Sequence, residues 1–307
     1  MLRMNSQDLK RILLLVRMKS LLKNCSSSLA SLLFLIFRLS TCTFGIYMHF
    51  PTLWKNANIT LIHKTRSMHN VQNYRPISLL SVSSKLLENF VHKEFLLMCN
   101  NLNIIPATQH GFLSGRSCLT NLLHTYEQIT SLVDAGIPCD LLFLDFKKAF
   151  DSVSHTNLIE KLKSFGFPPP MVSWVYSYLH GRRQRVCLRG SASDWRAVTS
   201  GVPQGSVLGP LLFNIYISDL SKFLISNNIA YADDLKLFSP SFLYSGLQAD
   251  LDSVAKWAAK NDLEISPDKC FVIHFGHDNP QHPYQIYFKE ISIKTSHRDL
   301  GILLTTL

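Results

Sequence analysis

The chain has 307 residues, 47% of them hydrophobic, which excludes wholesale disorder and suits one large domain or two. Its 31 basic and 21 acidic residues give a net charge of +10, which favours contact with nucleic-acid phosphates without requiring it. The seven cysteines are scattered without a CxxC pair, which argues against a disulfide scaffold or structural zinc site and indicates a reducing, intracellular compartment, nuclear or cytoplasmic.

The first fifty residues contain a strongly apolar run at residues 29–37 (LASLLFLIF), which is followed by Arg38. A membrane-spanning helix needs about 20 mostly apolar residues, and this run is much shorter before its charge. We therefore predict that residues 1–50 form an N-terminal extension with a buried helix. A membrane anchor over residues 29–48 is the minor alternative.

Beyond residue 50, the hydrophobic periodicity predicts helices and antiparallel strands without a regular βαβ alternation, which is typical of an α+β fold. Ser83 or Ser84 is the expected N-cap of the first helix, and Gly136 the expected residue after the second. Helices are predicted near residues 84–96, 117–135, 155–166, 174–178 and 246–260. Strands are predicted at residues 57–63, 141–144, 271–275 and 286–288.

Two adjacent carboxylates, Asp233 and Asp234, lie within the apolar run at residues 229–238 (IAYADDLKLF). Burying two like charges is costly, and bound divalent cations are the simplest compensation, although a surface turn also favours Asp-Asp. Asp145 ends a second apolar run, residues 141–144, which reads as a buried strand. That strand could place Asp145 beside Asp233 and Asp234. Alternatively, Asp145 merely caps the helix that follows.

The segments around these aspartates form an ordered series of motifs. They are residues 73–80 (NYRPISLL), 109–112 (QHGF), 143–153 (FLDFKKAFDSV), 200–213 (SGVPQGSVLGPLLF) and 231–234 (YADD). This series resembles the reverse transcriptases of LINE-type (non-LTR) retrotransposons over about residues 51–305. Ordered, multi-residue matches are far more specific than any single short motif.

The resemblance implies the right-hand polymerase fold. The fingers would occupy residues 51–135, and the palm, an antiparallel sheet with packed helices, would occupy residues 136–307. Residues 296–302 resemble the primer-grip hairpin of the family. We expect the thumb, the endonuclease and the Cys/His knuckle to be absent, so that the chain resembles a polymerase core.

The resemblance also implies an RNA-directed DNA polymerase. A DNA primer 3′-hydroxyl would attack the α-phosphorus of a dNTP opposite an RNA template, releasing pyrophosphate. Asp145, Asp233 and the carbonyl of Phe146 would bind two Mg²⁺ ions, which Mn²⁺ can replace. Asp234 is the second carboxylate of the YADD box. Lys269 would protonate the departing pyrophosphate as a general acid. Alternatively, Lys269 is an ordinary solvated lysine.

Further matched positions would bind the incoming nucleotide. Lys64 and Arg75 match cations that hold the triphosphate. Phe150 aligns with the steric gate that would collide with a ribose 2′-hydroxyl, but its ring could also belong to the core. Gln204 and Gly205 would lie beneath the nucleotide and the template base, where glycine permits close backbone approach.

A dense basic cluster is expected to contact template or primer phosphates through Arg182, Arg183 and Arg185. Two other interpretations of the whole chain stay open. One is a relative of group II intron maturases or telomerase. The other is a catalytically dead, nucleic-acid-binding remnant of a decayed element, against which the intact Asp145, Asp233 and Asp234 argue.

Overall fold

The computed structural model describes residues 49–64, 67–70, 73–188 and 190–306. The predicted N-terminal helix, with its alternative of an anchor over residues 29–48, lies outside these residues. Within them, no helix combines the length and apolarity needed to cross a lipid bilayer.

Helices and strands alternate irregularly, as predicted for an α+β fold. In chain order, the described helices are α1 (Val82–Asn101), α2 (Cys118–Asp134), α3 (Ala149–Ser152), α4 (His155–Ser164), α5 (Pro169–Leu179), α6 (Gly209–Ile217) and α7 (Tyr244–Lys260). The described strands are β1 (Asn56–His63), β2 (Tyr74–Leu79), β3 (Cys139–Leu144), β4 (Arg183–Leu188), β5 (Ser191–Ala192), β6 (Arg196–Ala197), β7 (Asn227–Tyr231), β8 (Asp234–Pro240), β9 (Phe271–Phe275), β10 (Gln285–Ile286), β11 (Lys289–Glu290), β12 (Ser292–Ile293), β13 (Ser296–Asp299) and β14 (Ile302–Thr305).

The central sheet has the strand order β12-β9-β3-β8-β7, and β3 pairs antiparallel with both neighbours. Every residue of β3 is buried, because helices cover both faces of the sheet. Successive side chains of a strand point to opposite faces. Accordingly, Leu142 and Leu144 enter the large core with α4 to α7, whereas Leu141 and Phe143 join the smaller core against α2.

A second sheet contains β1, which pairs antiparallel with β2 and parallel with β4. Strand β4 lies in the range predicted to be palm, yet it extends the sheet of the predicted fingers. Conversely, α2 lies in the range predicted to be fingers and packs on β3 and β7 of the central sheet. The predicted boundary at residue 135 therefore does not separate the two sheets and the elements packed on them.

Several local predictions are confirmed by the structure. Helix α2 begins where it was predicted, and Ser117 caps it in a reciprocal capping box with Thr120, with N···O distances of 3.2 and 2.9 Å. Gly136 follows α2 with a φ of 72°, the left-handed conformation expected there. The strand predicted at residues 271–275 is β9.

Other boundaries differ from the predictions. Ser81, not Ser83 or Ser84, caps α1 by accepting a hydrogen bond from the Ser84 amide. Helix α5 begins at Pro169, because a proline in the first turn lacks only an N–H that has no helical partner. The strand predicted over residues 286–288 is wrong beyond Ile286, since Tyr287 and Phe288 have positive φ and form a turn between β10 and β11. Helix α6 was not predicted.

Candidate active site

The three predicted acidic residues meet at one end of the central sheet. Strands β7 and β8 form a hairpin in which Tyr231 pairs with Asp234, leaving Ala232 and Asp233 as the turn. Leu144 of β3 pairs with Leu235 of β8, so the next residue, Asp145, follows the strand at the level of Asp234. Asp145 caps no helix, because α3 begins only at Ala149 with Lys148 before it. That alternative is wrong.

The charges in this cluster are poorly balanced. Burial and the charge of Asp145 raise the pKa of Asp233, an effect that Lys269 and Arg75 only partly offset. Burial and the neighbouring carboxylates raise the pKa of Asp234 to about 6. The end of the sheet therefore carries more negative charge than its surroundings neutralise, which is the electrostatic setting of a cation site.

Asp145 also contacts the predicted general acid. The ammonium Nζ of Lys269 lies 2.7 Å from Oδ2 of Asp145. The amide of Ser266 donates to the Asp145 carbonyl at 2.8 Å, and Phe146 forms a bridge with Ile265, so the segment before Lys269 runs alongside. Sequence positions about 124 residues apart are thereby brought into direct contact.

The predicted metal ligands are two carboxylates and one carbonyl, from Asp145, Asp233 and Phe146. In the described part of the chain, no group of three His, Cys, Asp or Glu side chains is arranged to hold a metal ion. The predicted set needs only two acidic side chains, and oxygen donors are those that Mg²⁺ prefers. The donor chemistry therefore fits magnesium.

The predicted steric gate is held firmly beside this cluster. The ring of Phe150 stacks on Phe213 of α6 with centroids 4.3 Å apart and meets Phe112 edge-on at 6.0 Å. Its carbonyl accepts a hydrogen bond from the Val202 amide at 2.8 Å. Phe150 is half-buried, so the ring packs against the core and keeps some solvent exposure.

The loop with Gln204 and Gly205 is fixed to β2 and to the segment after β3. The Gln204 side chain donates to Oδ1 of Asp151 at 2.8 Å, and its carbonyl accepts from the Ser78 amide at 2.7 Å. Gly205 has a φ of 102°, and a Cβ there would lie 2.9 Å from the Ser78 carbonyl oxygen. The close approach that requires this glycine is therefore to β2. A cavity of about 290 Å³ opens between this loop and β1, β2 and β4.

The two cations predicted in the fingers lower the pKa values of nearby carboxyl groups through their charge. Arg75 lies exposed on β2, opposite Ile62 of β1, and its charge opposes the raised pKa of Asp233. Lys64 follows β1, and its charge similarly opposes the pKa rise that burial causes at Asp151. Arg75 is thus within electrostatic reach of the acidic cluster, and Lys64 is within reach of α3.

A family model described as reverse transcriptase (RNA-dependent DNA polymerase) matches residues 62–300. The chain belongs to the reverse transcriptase family. It is 36% identical over 244 residues to the probable RNA-directed DNA polymerase from transposon BS of Drosophila melanogaster, which covers 73% of this chain and 26% of that relative. It is 33% identical to the polymerase from the mobile element jockey of the same fly, over 74% of this chain and 26% of the relative. The predicted kinship with non-LTR elements is confirmed.

Among solved structures, telomerase from Candida albicans, in complex with a fragment of telomeric RNA, is similar in fold. The TM-score is 0.55 at 15% identity, over 84% of this chain and 47% of the other. This likeness confirms the polymerase fold. The reverse transcriptase chain spans about a quarter of the length of the transposon polymerases it matches.

The basic cluster of the reverse transcriptase requires one correction. Arg182 is only 3% exposed, and its Nη1 donates to the Tyr178 carbonyl at 3.0 Å. The prediction that Arg182 contacts phosphates at the surface is therefore wrong, because its guanidinium is packed in the core. Arg185 donates to Asn58 and lies over Trp195, whereas Arg183 is exposed.

Sequence reasoning missed a buried carboxylate that caps α6. Glu88 of α1 is fully buried, and its Oε2 accepts hydrogen bonds from the amides of Val207 and Leu208 at 2.8 and 3.2 Å. A negative group at a helix N-terminus is favoured by the unpaired N–H groups and the helix dipole. The available signal was an acidic residue between Leu87 and Val91 on the apolar stripe of α1.

Proposed function

We propose that this chain is the catalytic core of an RNA-directed DNA polymerase of a LINE-type retrotransposon. It would transfer a nucleotide from a dNTP to the 3′-hydroxyl of a DNA primer paired with an RNA template. The observation that carries the proposal is the meeting of Asp145 with Asp233 and Asp234 at one end of the central sheet. The contact of Lys269 with Asp145 adds support, because the proposed general acid would then lie at the reacting end of the sheet.

Two Mg²⁺ ions, when bound, would lower the pKa of the primer hydroxyl and neutralise charge on the leaving oxygen. Asp145, Asp233 and the Phe146 carbonyl would hold them, with Asp234 adding negative charge beside them. The raised pKa values of Asp233 and Asp234 support this assignment, because burial and the neighbouring carboxylates raise them, and a bound divalent cation would offset both effects.

The remaining residues would position the substrates, because proteins catalyse phosphoryl transfer mainly by positioning and electrostatic stabilisation. Arg75 and Lys64 would bind the triphosphate oxygens. The exposed part of the Phe150 ring would exclude a 2′-hydroxyl. Lys269 already lies at the reacting end of the sheet, where its ammonium would donate a proton to the pyrophosphate oxygen as it leaves.

The proposed path of the template is supported by the cavity between the Gln204 loop and the second sheet. Its lining includes Gln204, Lys148 and Arg183, which together offer hydrogen-bond donors and positive charge to a nucleic-acid strand. Arg183 and Arg185 would contribute phosphate contacts at its outer edge. The five described cysteines are free thiols, in keeping with a reducing intracellular site of action.

The test is primer extension by the purified chain on an RNA template with Mg²⁺ or Mn²⁺. We expect extension by the natural sequence and by Asp134→Ala, which removes an exposed carboxylate at the end of α2. Asp233→Ala should abolish extension and leave template binding largely intact. Equal extension by Asp233→Ala and the natural sequence would show that the assigned site is wrong. RNA binding without extension by any variant would instead favour the remnant interpretation.

A further inference from the structure

The turn that carries Asp233 is conformationally strained. Ala232 has a φ of 56°, a left-handed conformation that L-residues rarely adopt because their Cβ crowds the backbone. The residue is also buried, with 4% of its surface exposed. Because Ala232 directly precedes Asp233, the backbone geometry at this alanine sets the direction in which the Asp233 carboxylate points.

A single side chain binds both backbone groups of Ala232. Oε1 of Gln109 accepts a hydrogen bond from the Ala232 amide at 2.8 Å, and Nε2 of Gln109 donates to the Ala232 carbonyl at 3.3 Å. Oε1 also accepts from the Gly111 amide at 2.7 Å. Gln109 is 2% exposed, so these bonds form away from competing water. Only a carboxamide offers both a donor and an acceptor in this arrangement.

The segment around Gln109 is itself fastened along the edge of the central sheet. Residues 108–111, here called the strap, run beside β7, with the His110 amide donating to the Ala230 carbonyl at 2.8 Å and the Ala230 amide donating to the Thr108 carbonyl at 2.9 Å. Asn214 of α6 donates to the Gly111 carbonyl at 2.8 Å. The strap is therefore a fixed support behind the turn.

The fit between the strap and the turn leaves no free space. A Cβ added to Gly111 would lie 2.4 Å from the Ala232 amide nitrogen, a distance at which one backbone must move. Hydrogen bonding by Gln109 and steric contact at Gly111 thus constrain the same residue independently. A change at either position should reach Asp233 through Ala232.

We propose that Gln109 is a positioning residue, which holds the strained turn in the conformation that aims Asp233. This inference rests on the proposed polymerase function. Gln109 is buried behind the turn, so its side chain would touch neither the primer nor the nucleotide. It should therefore govern the rate of nucleotide transfer and leave the affinity for the dNTP and for the template–primer duplex nearly unchanged.

The first measurement is single-nucleotide extension under pre-steady-state conditions, which separates the maximal rate from the dNTP dissociation constant. Gln109→Met preserves length and removes the hydrogen bonds, and Gly111→Ala preserves the hydrogen-bonding groups and displaces the turn. We expect each to lower the maximal rate by about 100-fold, since small misplacements of reacting groups have effects of this size. The dissociation constant should stay within about threefold.

The control variant is Asn279→Leu. The Asn279 amide donates to the carbonyls of Cys139 and Phe275 at 3.1 Å, at the opposite end of β3 from Asp145. Its loss therefore weakens the same sheet by a similar chemical change without touching the turn. At matched thermal stability, Asn279→Leu should keep the natural extension rate. An equal loss of rate in this control would overturn the proposal.

The second measurement is hydrogen exchange at the Ala232 amide, which requires no catalytic activity. Removing its acceptor in Gln109→Met should speed exchange by about tenfold, in line with the loss of one hydrogen bond. Asn279→Leu should not. If the natural chain fails to extend primers, the polymerase proposal fails while exchange still decides the role of Gln109. Unchanged exchange in Gln109→Met would overturn that role.

Discussion

Lys236 and Asp299 form an ion pair inside the protein, joining β8 to the hairpin of β13 and β14. Lys236 is 1% exposed and Asp299 4%, and the lysine ammonium also donates to Oδ1 of Asn121 in α2 at 2.7 Å. Lys236 follows Asp234 by two residues on the strand that begins at the catalytic turn. The pair therefore fixes the hairpin predicted to be the primer grip to the strand that begins with Asp234.

Removing one member of this pair should destabilise the fold strongly. Lys236→Met leaves the Asp299 carboxylate buried without its partner, which we expect to lower the free energy of unfolding by about 3–5 kcal/mol. Urea denaturation measures this change. The double variant Lys236→Met/Asp299→Leu should recover most of the loss, because replacing a buried ion pair by apolar groups is often neutral.

An exposed ion pair supplies the control for this experiment. Lys163 and Glu160 lie 2.9 Å apart on α4, with both side chains more than half exposed. Lys163→Met should change the free energy of unfolding by less than about 1 kcal/mol. A double variant at Lys236 and Asp299 as unstable as Lys236→Met alone would contradict the assignment of the loss to an unpaired charge.

In the metal-free protein, the ionisation of Asp234 should make a contribution that lowers stability as the pH rises through the region between about 4 and 6. The pKa of Asp234 is raised from 3.8 in the unfolded chain to about 6 in the fold, so the folded state binds the proton more tightly in this window. The contribution of Asp234 to the free energy of unfolding then falls as pH rises. Solvent contact at Asp234 screens its charges and keeps the effect small.

Thermal melts in EDTA between pH 4.5 and 7.5 test this sign. Asp234→Asn should lack this contribution, since an amide does not titrate. Its melting temperature should therefore rise relative to that of the natural sequence as the pH increases. Adding Mg²⁺ at pH 7.5 should raise the melting temperature of the natural protein more than that of the variant. The expected result is contradicted if, in EDTA, the melting temperature of the natural sequence rises with pH more steeply than that of Asp234→Asn.

Phe150→Ala should relax the choice of sugar. Because the Phe150 ring is held against Phe213 and cannot easily turn aside, it would meet a ribose 2′-hydroxyl directly. Removing the ring should raise the efficiency of ribonucleotide relative to deoxyribonucleotide incorporation by roughly 10- to 100-fold. The control is Phe167→Leu, at a core ring that stacks on Phe95. This change should leave the ratio unaltered. A ratio unaffected by Phe150→Ala would assign its ring to the core alone.

Glu88→Leu should weaken α6 and the loop before it. The amides of Val207 and Leu208 would lose their acceptor in a buried place, which we expect to lower the free energy of unfolding by about 1–3 kcal/mol. Glu88→Gln keeps an acceptor oxygen and should lose less. Chemical denaturation of the two variants compares them, and equal losses would show that the charge, not the hydrogen bonds, matters at this helix end.

The local predictions depended on short-range patterns, and most were confirmed. The helix beginning near Ser117, the strand at residues 271–275 and the buried strand before Asp145 each follow from neighbouring residues. Helix α6 was missed because its sequence is apolar on all sides, so it has no hydrophobic face for periodicity to reveal. The motif at residues 200–213 identified the family without indicating where its helix begins.

The sequence by itself determined the family, the polymerase fold and the identity of the three carboxylates, because these are written in contiguous motifs. Only the tertiary structure decided that Gln109 binds Ala232, that Glu88 caps α6 and that Arg182 lies in the core. The first two contacts join residues 123 and 119 positions apart. Contacts of this kind arise when the packing of whole elements places distant backbone groups within hydrogen-bonding distance, and no local periodicity encodes that placement.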